Sequence, residues 1–412
     1  MILDRGIEPI LKEQVAQVAV LEGPRMSGKT VLARKLVSDH TYEAYENLAD
    51  PMIRDAARRD PAGWLASLPD TVAIDEAQLV ADLPLYVKFL VDEPASRRRF
   101  LLTGSASLGR TGLGGSDPLT GRATRHRLSP FTAFELARVP HKMSNLADDL
   151  FSGHIADRHD YPPFAAAAAV TTGGFPPLAL SSSRSGGPTA DHWVRDTVIG
   201  LLTDDVLPDD RFDAGLAVRV LDGCLRTPGA TLNLTSLGQR LSLDPRTVDR
   251  YLDVLERRFL LHFLPNLAAN PARQARARSK VHSVDTAFAV ESIRRAGPAA
   301  FLSPETQGRL MESWVVNQVL PCLTMANTAI GAYYWRTPKG EHEVDLVLAD
   351  STGALVGIEV KQSATVTLQD AKGLSVLAAR QPVSAAYVVY SGTKTVRLGD
   401  RCWALPAAAM AS

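Results

Sequence analysis

Gly23-Pro-Arg-Met-Ser-Gly28-Lys29-Thr30 lies between an apolar run, residues 17–21, and the helically spaced Val31-Leu-Ala-Arg-Lys-Leu-Val37. A strand that feeds a glycine turn opening a helix aims backbone N–H groups and the positive end of the helix dipole at one point. Phosphate oxygens are favoured there. The eight residues fit G-x-x-x-x-G-K-[ST] at every fixed position. In that pattern Gly28 permits close backbone approach, Lys29 reaches the β- and γ-phosphates, and the Thr30 hydroxyl ligates magnesium. The loop Gly23, Pro24, Arg25, Met26, Ser27, Gly28, Lys29 and Thr30 is therefore expected to bind ATP or a related nucleoside triphosphate with Mg2+.

Two further apolar runs complete such a site. Thr71-Val-Ala-Ile-Asp75-Glu76 ends in two carboxylates. Asp75 is expected to hold magnesium through water, and Glu76 to polarise the attacking water. Arg99-Phe-Leu-Leu-Thr103-Gly104-Ser105 ends in hydroxyls. In a parallel sheet the carboxyl ends of the strands face the ligand, so Thr103 or Ser105 is placed to sense the γ-phosphate. Gly121-Arg122 closes a glycine-rich stretch, residues 109–121. Arg122 reads either as a finger on a neighbouring subunit's nucleotide or as a surface arginine. Short apolar runs bounded by charged or turn residues, with 124–128 as one more, predict an α/β domain over residues 1–140. It is a P-loop NTPase parallel sheet with helices on both faces. Glu76, Ser105 and Arg122 are its expected catalytic residues.

The chain has 412 residues, too many for a single hydrophobic core. Lys plus Arg equals Asp plus Glu, 45 against 45, which excludes a chain-wide field for a polyanion. Any nucleic-acid contact has to be local. Cys224, Cys322 and Cys402 show neither metal-ligand spacing nor a disulfide framework, and a reducing cytoplasm is expected. No run of about 18 apolar residues and no leader pattern occurs, so neither a membrane span nor a signal peptide is expected.

Residues 141–285 are mostly helical in spacing, with a loose Ser/Gly segment at 181–189. Thr235 to Leu255 reads TSLGQRLSLDPRTVDRYLDVL. One helix, a tight turn at Asp244-Pro245 and a second helix give helix-turn-helix spacing, with Arg246, Thr247 and Arg250 on the exposed face. Arg273, Arg276, Arg278 and Lys280 follow without an acid, as a basic wing would. DNA contact, protein contact and a plain helical lid all fit this winged-helix pattern.

Residues 286–412 return to mixed α and β. Asp345 begins one strand, and Glu359 and Lys361 share a face of the next because side chains alternate with period two. Glu312 lies in the preceding helical stretch. Carboxylates set in strongly apolar strands are costly unless compensated, so Asp345 and Glu359 are expected to share a second divalent cation, with Lys361 positioning water and Glu312 adding a carboxylate. This set resembles the PD-(D/E)xK nuclease core. Cleavage of nucleic acid and a silent domain that binds a protein are both open.

The motifs GPRMSGKT, AIDEAQ, LLTGSAS, LTGR, GGFPP (residues 173–177), GRLMESWV, YYWRTPKGEHEVDLVL and IEVKQS occur in this order. With them the chain resembles the prokaryotic AAA-type ATPases that carry a C-terminal domain of unknown function, numbered 4143, over about residues 11–398. The resemblance implies the roles read above for Lys29, Thr30, Asp75 and Glu76, and sensor and finger roles for Ser105 and Arg122. It also implies nuclease-core positions for Asp345, Glu359 and Lys361. DNA, a partner protein and a second copy of the chain are the partners it leaves in play, for an ATPase driving a DNA-interacting domain or a nucleotide-dependent interaction switch.

Overall fold

The computed structural model describes residues 3–94, 96–105, 108, 117–181, 188–203, 212–267, 278–326 and 328–411. It divides into two compact units, Met1–Pro130 with Arg257–Phe259, and Phe131–Glu256 with Leu260–Ser412. Apart from Arg257–Phe259, the segments 141–285 and 286–412 thus fall in one unit. Among the described residues no helix is long and apolar enough to cross a membrane.

In the first unit the order is α1 (Glu8–Lys12), β1 (Val18–Glu22), α2 (Lys29–Ser38), β2 (Ala44–Asn47), α3 (Pro51–Arg59), α4 (Pro61–Ser67), β3 (Thr71–Asp75), α5 (Leu83–Val91), β4 (Arg99–Gly104) and β5 (Ala123–Arg127). The strands pair in the order β2-β3-β4-β1-β5, all parallel. Val18 and Val20 pack with Val72, Ile74, Phe100 and Leu102 on one face, while Ala19 and Leu21 are equally buried on the other. A sheet covered on both faces needs continuous apolar runs, and β1, β3 and β4 have them. Edge strand β2, Ala-Tyr-Glu-Asn, is only half-buried and lacks such a run. Sequence reading missed it for that reason. Helices α3 and α4 start where Asp50 and Asp60 accept from Met52 N–H and Gly63 N–H, each with proline at the first helical position. Register aligns Glu22 with Gly104 and Arg127, and Asn47 with Asp75, so the loops after β1, β3 and β4 leave the same edge of the sheet.

The second unit begins with α6 (Ala133–Leu136), α7 (Leu146–Ser152), α8 (Ala166–Thr172), α9 (Pro176–Ala179), α10 (Pro188–Thr203), α11 (Ala214–Leu225), α12 (Leu234–Leu241) and α13 (Pro245–Arg257). Then come the antiparallel pair β6 (Leu261–Leu264) and β7 (Lys280–Ser283), then α14 (Thr286–Ala296), α15 (Pro298–Phe301) and α16 (Pro304–Leu323). A mixed sheet follows from β8 (Gly331–Arg336), β9 (Glu343–Ala349), β10 (Leu355–Lys361), α17 (Lys372–Ala378), β11 (Val383–Tyr390), β12 (Val396–Gly399) and β13 (Cys402–Pro406). Its order is β12-β13-β11-β10-β9-β8. Strands β8, β9 and β10 form an antiparallel meander, and α17 carries the chain from β10 to its parallel neighbour β11. Val344, Val347, Leu374, Leu377 and Val388 share one core between that helix and the sheet.

The Gly-Gly-Phe-Pro-Pro motif is a structural joint of this unit. Gly173 has φ +68°, and a Cβ on Gly174 would lie 2.1 Å from the Phe131 carbonyl oxygen. Buried Asp285, the N-cap of α14, accepts from Gly174 N–H at 2.7 Å, Phe175 N–H at 3.0 Å and Ala287 N–H at 2.8 Å. Phe175 then stacks on Phe288, with ring centroids 5.0 Å apart. Replacing Asp285 by Ala strands these buried donors, so we expect a loss of about 2–4 kcal/mol. Urea unfolding monitored by far-UV circular dichroism checks it, and an unchanged midpoint would remove the joint.

Candidate nucleotide and carboxylate sites

Backbone geometry prepares the loop between β1 and α2. Met26 at φ +64° and Gly28 at φ +101° give the loop left-handed turns, the kind of backbone from which anion-binding concavities are built. Buried Lys29 donates to the Gly23 carbonyl at 2.8 Å and the Pro24 carbonyl at 2.8 Å. The Thr30 hydroxyl donates to Asp75 Oδ2 at 2.7 Å, so the two expected magnesium groups are in contact.

Around that pair the carboxyl edge of the sheet assembles its polar groups. Thr103 Oγ1 donates to Asp75 Oδ1 and accepts from Glu76 N–H at 3.3 Å. Ser105 Oγ donates to Glu76 Oε2 at 3.2 Å and accepts from Gln78 Nε2 at 3.0 Å, and Gln78 also donates to Glu76. Of the two hydroxyls considered as sensors, Thr103 braces Asp75 and Ser105 holds Glu76. Glu76 itself has φ +54°, a left-handed conformation uncommon outside glycine.

Besides Gln78, two contributors from outside the motifs were missed. Tyr45, from edge strand β2, donates to Asp75 Oδ2 at 2.7 Å, with the Arg34 guanidinium 4.9 Å from its ring centre. Burial, together with the Asp75 hydrogen bond, pushes the Tyr45 phenol up to about 12, so it stays a neutral donor. Buried Arg5 donates to the Ser27 carbonyl at 2.7 Å and the Ser129 carbonyl at 2.6 Å, tying the loop to the segment after β5.

Arg122 is not brought to this site within the chain. It precedes Ala123, which pairs with Val18 at the start of β1, whereas the loop follows Glu22 at the other end. Its guanidinium pairs with Asp92 at 2.5 Å and donates to the Thr120 carbonyl at 3.2 Å. Most of the glycine-rich stretch before it, residues 109–116, lies outside the described residues.

In the second unit, α16, β9 and β10 do bring Glu312, Asp345, Glu359 and Lys361 together. Asp345 Oδ2 accepts from Val360 N–H at 2.9 Å, and Lys361 Nζ donates to Glu359 Oε1 at 2.8 Å. A residue assigned to a solvated wing joins them. Lys280 Nζ lies 2.8 Å from Glu312 Oε1, 2.9 Å from Asp345 Oδ1 and 2.7 Å from Glu343 Oε1. Lys280 is buried, which corrects its assignment as a basic wing contact. Arg273 and Arg276 lie outside the described residues. Arg246 and Arg250 are exposed on α13, and Thr247 is half-buried. Glu343 was overlooked, although its place two residues before Asp345 puts both on one face of β9.

The expected second divalent cation finds no support here. Among the described residues no group of three or more His, Cys, Asp or Glu side chains is arranged to hold a metal ion. The physical reason is the ammonium, which already sits among the carboxylates. Burial alone would lower Lys280, but Asp345, Glu312 and Glu343 outweigh it and hold the amine well above its usual range. Burial and the Asp345 charge push Glu312 up to about 8, and the same two causes push Glu359 up to about 8. Asp345 goes the other way, since Lys280 outweighs the effect of burial.

A carboxyl with a raised folded-state pKa keeps its proton longer in the native than in the unfolded chain. Native stability then falls as pH rises from about 4.5 to about 8. Glu359→Gln removes this loss while keeping an acceptor for Lys361. We expect the variant to gain stability over the parent chain as pH rises from 5 to 8, read from urea midpoints at both pH values. A difference that shrinks with pH would refute the assignment.

Comparison with known proteins places these sites in context. Residues 15–137 match the family model described as AAA domain, residues 307–410 that of domain of unknown function DUF4143, and residues 165–297 that of domain of unknown function DUF8612. The uncharacterized proteins Mb2031c of Mycobacterium bovis and Rv2008c of Mycobacterium tuberculosis are each 29% identical over 403 residues, covering 95% of this chain and 80% of theirs. Among solved structures, the Walker-type ATPase PABY2304 of Pyrococcus abyssi is 14% identical, covering 71% of this chain and 96% of its own, with a TM-score of 0.43. The RuvB Holliday junction branch migration motor of Thermotoga maritima is 20% identical, covering 67% and 88%, with a TM-score of 0.30. Structural likeness at these scores carries no functional argument. The family matches and the β2-β3-β4-β1-β5 sheet agree, and the chain carries an AAA domain of P-loop ATPase fold followed by a DUF4143 domain.

Proposed function

We propose that the first unit hydrolyses ATP, and that its turnover acts on a second unit that engages DNA. The contact that carries the first half is Thr30 to Asp75 at 2.7 Å, with Glu76 held beside it by Ser105 and Gln78. A hydroxyl and a carboxylate are hard oxygen donors of the kind magnesium takes, so Thr30 and Asp75 fit Mg2+, and Tyr45 and Thr103 orient the carboxylate. Magnesium, when bound, neutralises charge on the phosphates. Lys29 supplies the cation of the loop, backbone N–H groups cradle the phosphate oxygens, and Glu76 orients the attacking water and takes its proton.

Two features of the second unit support the DNA half. α11, the bridge at Thr231, α12, α13, β6 and β7 follow one another as in a winged helix, with Arg246 and Arg250 exposed on the second helix of the turn. α16, the β8–β10 meander, α17 and β11 follow one another as in a PD-(D/E)xK core, with Glu312, Asp345, Glu359 and Lys361 at its acid and lysine positions. Phosphate release measured with and without duplex DNA tests the reading. We expect turnover to rise with DNA and the rise to fall with added salt. Turnover indifferent to DNA in folded protein would sink the DNA half and leave the ATPase.

A further inference from the structure

A lysine ammonium and a divalent metal ion seek the same surroundings, a cage of carboxylate oxygens. Here the cage has walls from two elements, Glu312 on α16 and Glu343 and Asp345 on β9, and Lys280 enters it from β7. An ammonium has three N–H donors, and three carboxylates stand within 2.7 to 2.9 Å of it. Such a cation is costly to bury unless it is paired this fully.

Lys280 is also locked from behind. Leu264 pairs with it across the β6–β7 ladder. On the other side Leu232 N–H donates to the Ser279 carbonyl at 2.8 Å, and Gly229 N–H to the Val281 carbonyl at 2.8 Å. The residue is only 2% exposed. Two positions on, His282 is 0% exposed and points into the same cage. Its Nδ1 lies 2.9 Å from Ser313 Oγ, while its Nε2 has no hydrogen-bond partner among the described residues and stands 3.8 Å from Glu312 Oε1. A fully buried ring nitrogen without a hydrogen-bond partner thus faces the carboxylate wall of the cage.

We propose that Lys280 is the resident cation of this core, occupying among Glu312, Glu343 and Asp345 the place a divalent ion needs, and so keeping the site metal-free and unable to cleave. The proposal rests on reading the fold as a PD-(D/E)xK-like core. It adds that loading with metal requires the ammonium to leave, and that Lys361, paired with Glu359 rather than with the cage, is not the residue that blocks it.

Titration of nucleotide-free, full-length protein with Mn2+, with free ion read by electron paramagnetic resonance, tests this. The samples are the parent chain, Asp345→Asn, Lys280→Ala, and the two changes combined. We expect the parent and Asp345→Asn to bind Mn2+ alike, Lys280→Ala to gain one equivalent, and the combined variant to lose it. Binding by the parent that Asp345→Asn removes would overturn the proposal, as would a folded Lys280→Ala that gains nothing. Should Lys280→Ala fail to fold, the parent against Asp345→Asn still decides. Plasmid DNA with Mn2+ separates the proposal from the reading beneath it. A gained ion without cleavage in Lys280→Ala supports the resident cation and counts against the nuclease-like reading. Cleavage by the parent that Asp345→Asn abolishes upholds that reading and overturns the proposal.

Discussion

Lys29→Ala is expected to lower ATP turnover by about 10²–10³-fold or more, the loss that follows removal of one preorganised donor to developing charge. The side chain is buried, and its ammonium faces the Gly23 and Pro24 carbonyls of the loop itself. Gly28 keeps φ +101°, Arg5 keeps its bond to Ser27, and the Thr30–Asp75 contact persists. The two carbonyls released by the change can take water, so the variant should unfold within about 1 kcal/mol of the parent. Phosphate release and equilibrium unfolding, measured on one preparation, separate the two effects. Turnover within about threefold of the parent, against the expected 10²-fold or greater loss, would place the phosphate site elsewhere.

Much of this site was legible because its parts are contiguous in sequence. An apolar run followed by Gly-Lys-Thr, or by Asp-Glu, states both the strand and the groups at its end, and parallel pairing brings those ends to one edge. Tyr45 and Arg5 were not legible. Tyr45 acts from a half-buried edge strand with no apolar run, 30 residues from Asp75, and Arg5 reaches the loop from 22 residues upstream. Arg122 shows a different limit. Its nearness to a glycine-rich stretch said nothing about which end of β5 it would occupy, and the register puts it at the far one. Strand β12 escaped notice because it is largely exposed, and β13 beside it was missed as well.

Lys280 is the most instructive error. A run of basic residues without acids ordinarily stays in water, and local sequence offers no reason for one of them to be buried. The reason lies 32 and 65 residues further on, in Glu312 and Asp345. Conversely, those carboxylates were read as compensated by a metal because their cost in an apolar strand was evident, while the compensating lysine was not. The cation expected there was a metal ion, which finds no support among the described residues, and the counter-charge present is an ammonium. Its chemical identity came from tertiary packing.

Glu76→Gln should leave ATP binding within a few-fold of the parent and reduce turnover by about 10²–10⁴-fold, the usual contribution of a positioned general base. The substitution is nearly isosteric, and a glutamine amide oxygen can still accept from Ser105 Oγ and Gln78 Nε2. The left-handed backbone at φ +54° costs glutamine about what it costs glutamate, so the local turn survives. What disappears is the capacity to take a proton from water. Asp75→Asn makes the necessary contrast. Asp75 accepts from Thr30, Tyr45 and Thr103 at once, and an asparagine there would turn an N–H₂ group toward at least one of those hydroxyls. That variant should therefore weaken Mg2+-dependent nucleotide binding as well as turnover. Fluorescent-nucleotide titration with and without Mg2+, beside phosphate release, resolves the pair. If Glu76→Gln lost binding and turnover in step, Glu76 would belong with Asp75 in holding the magnesium, and the base would have to be sought elsewhere.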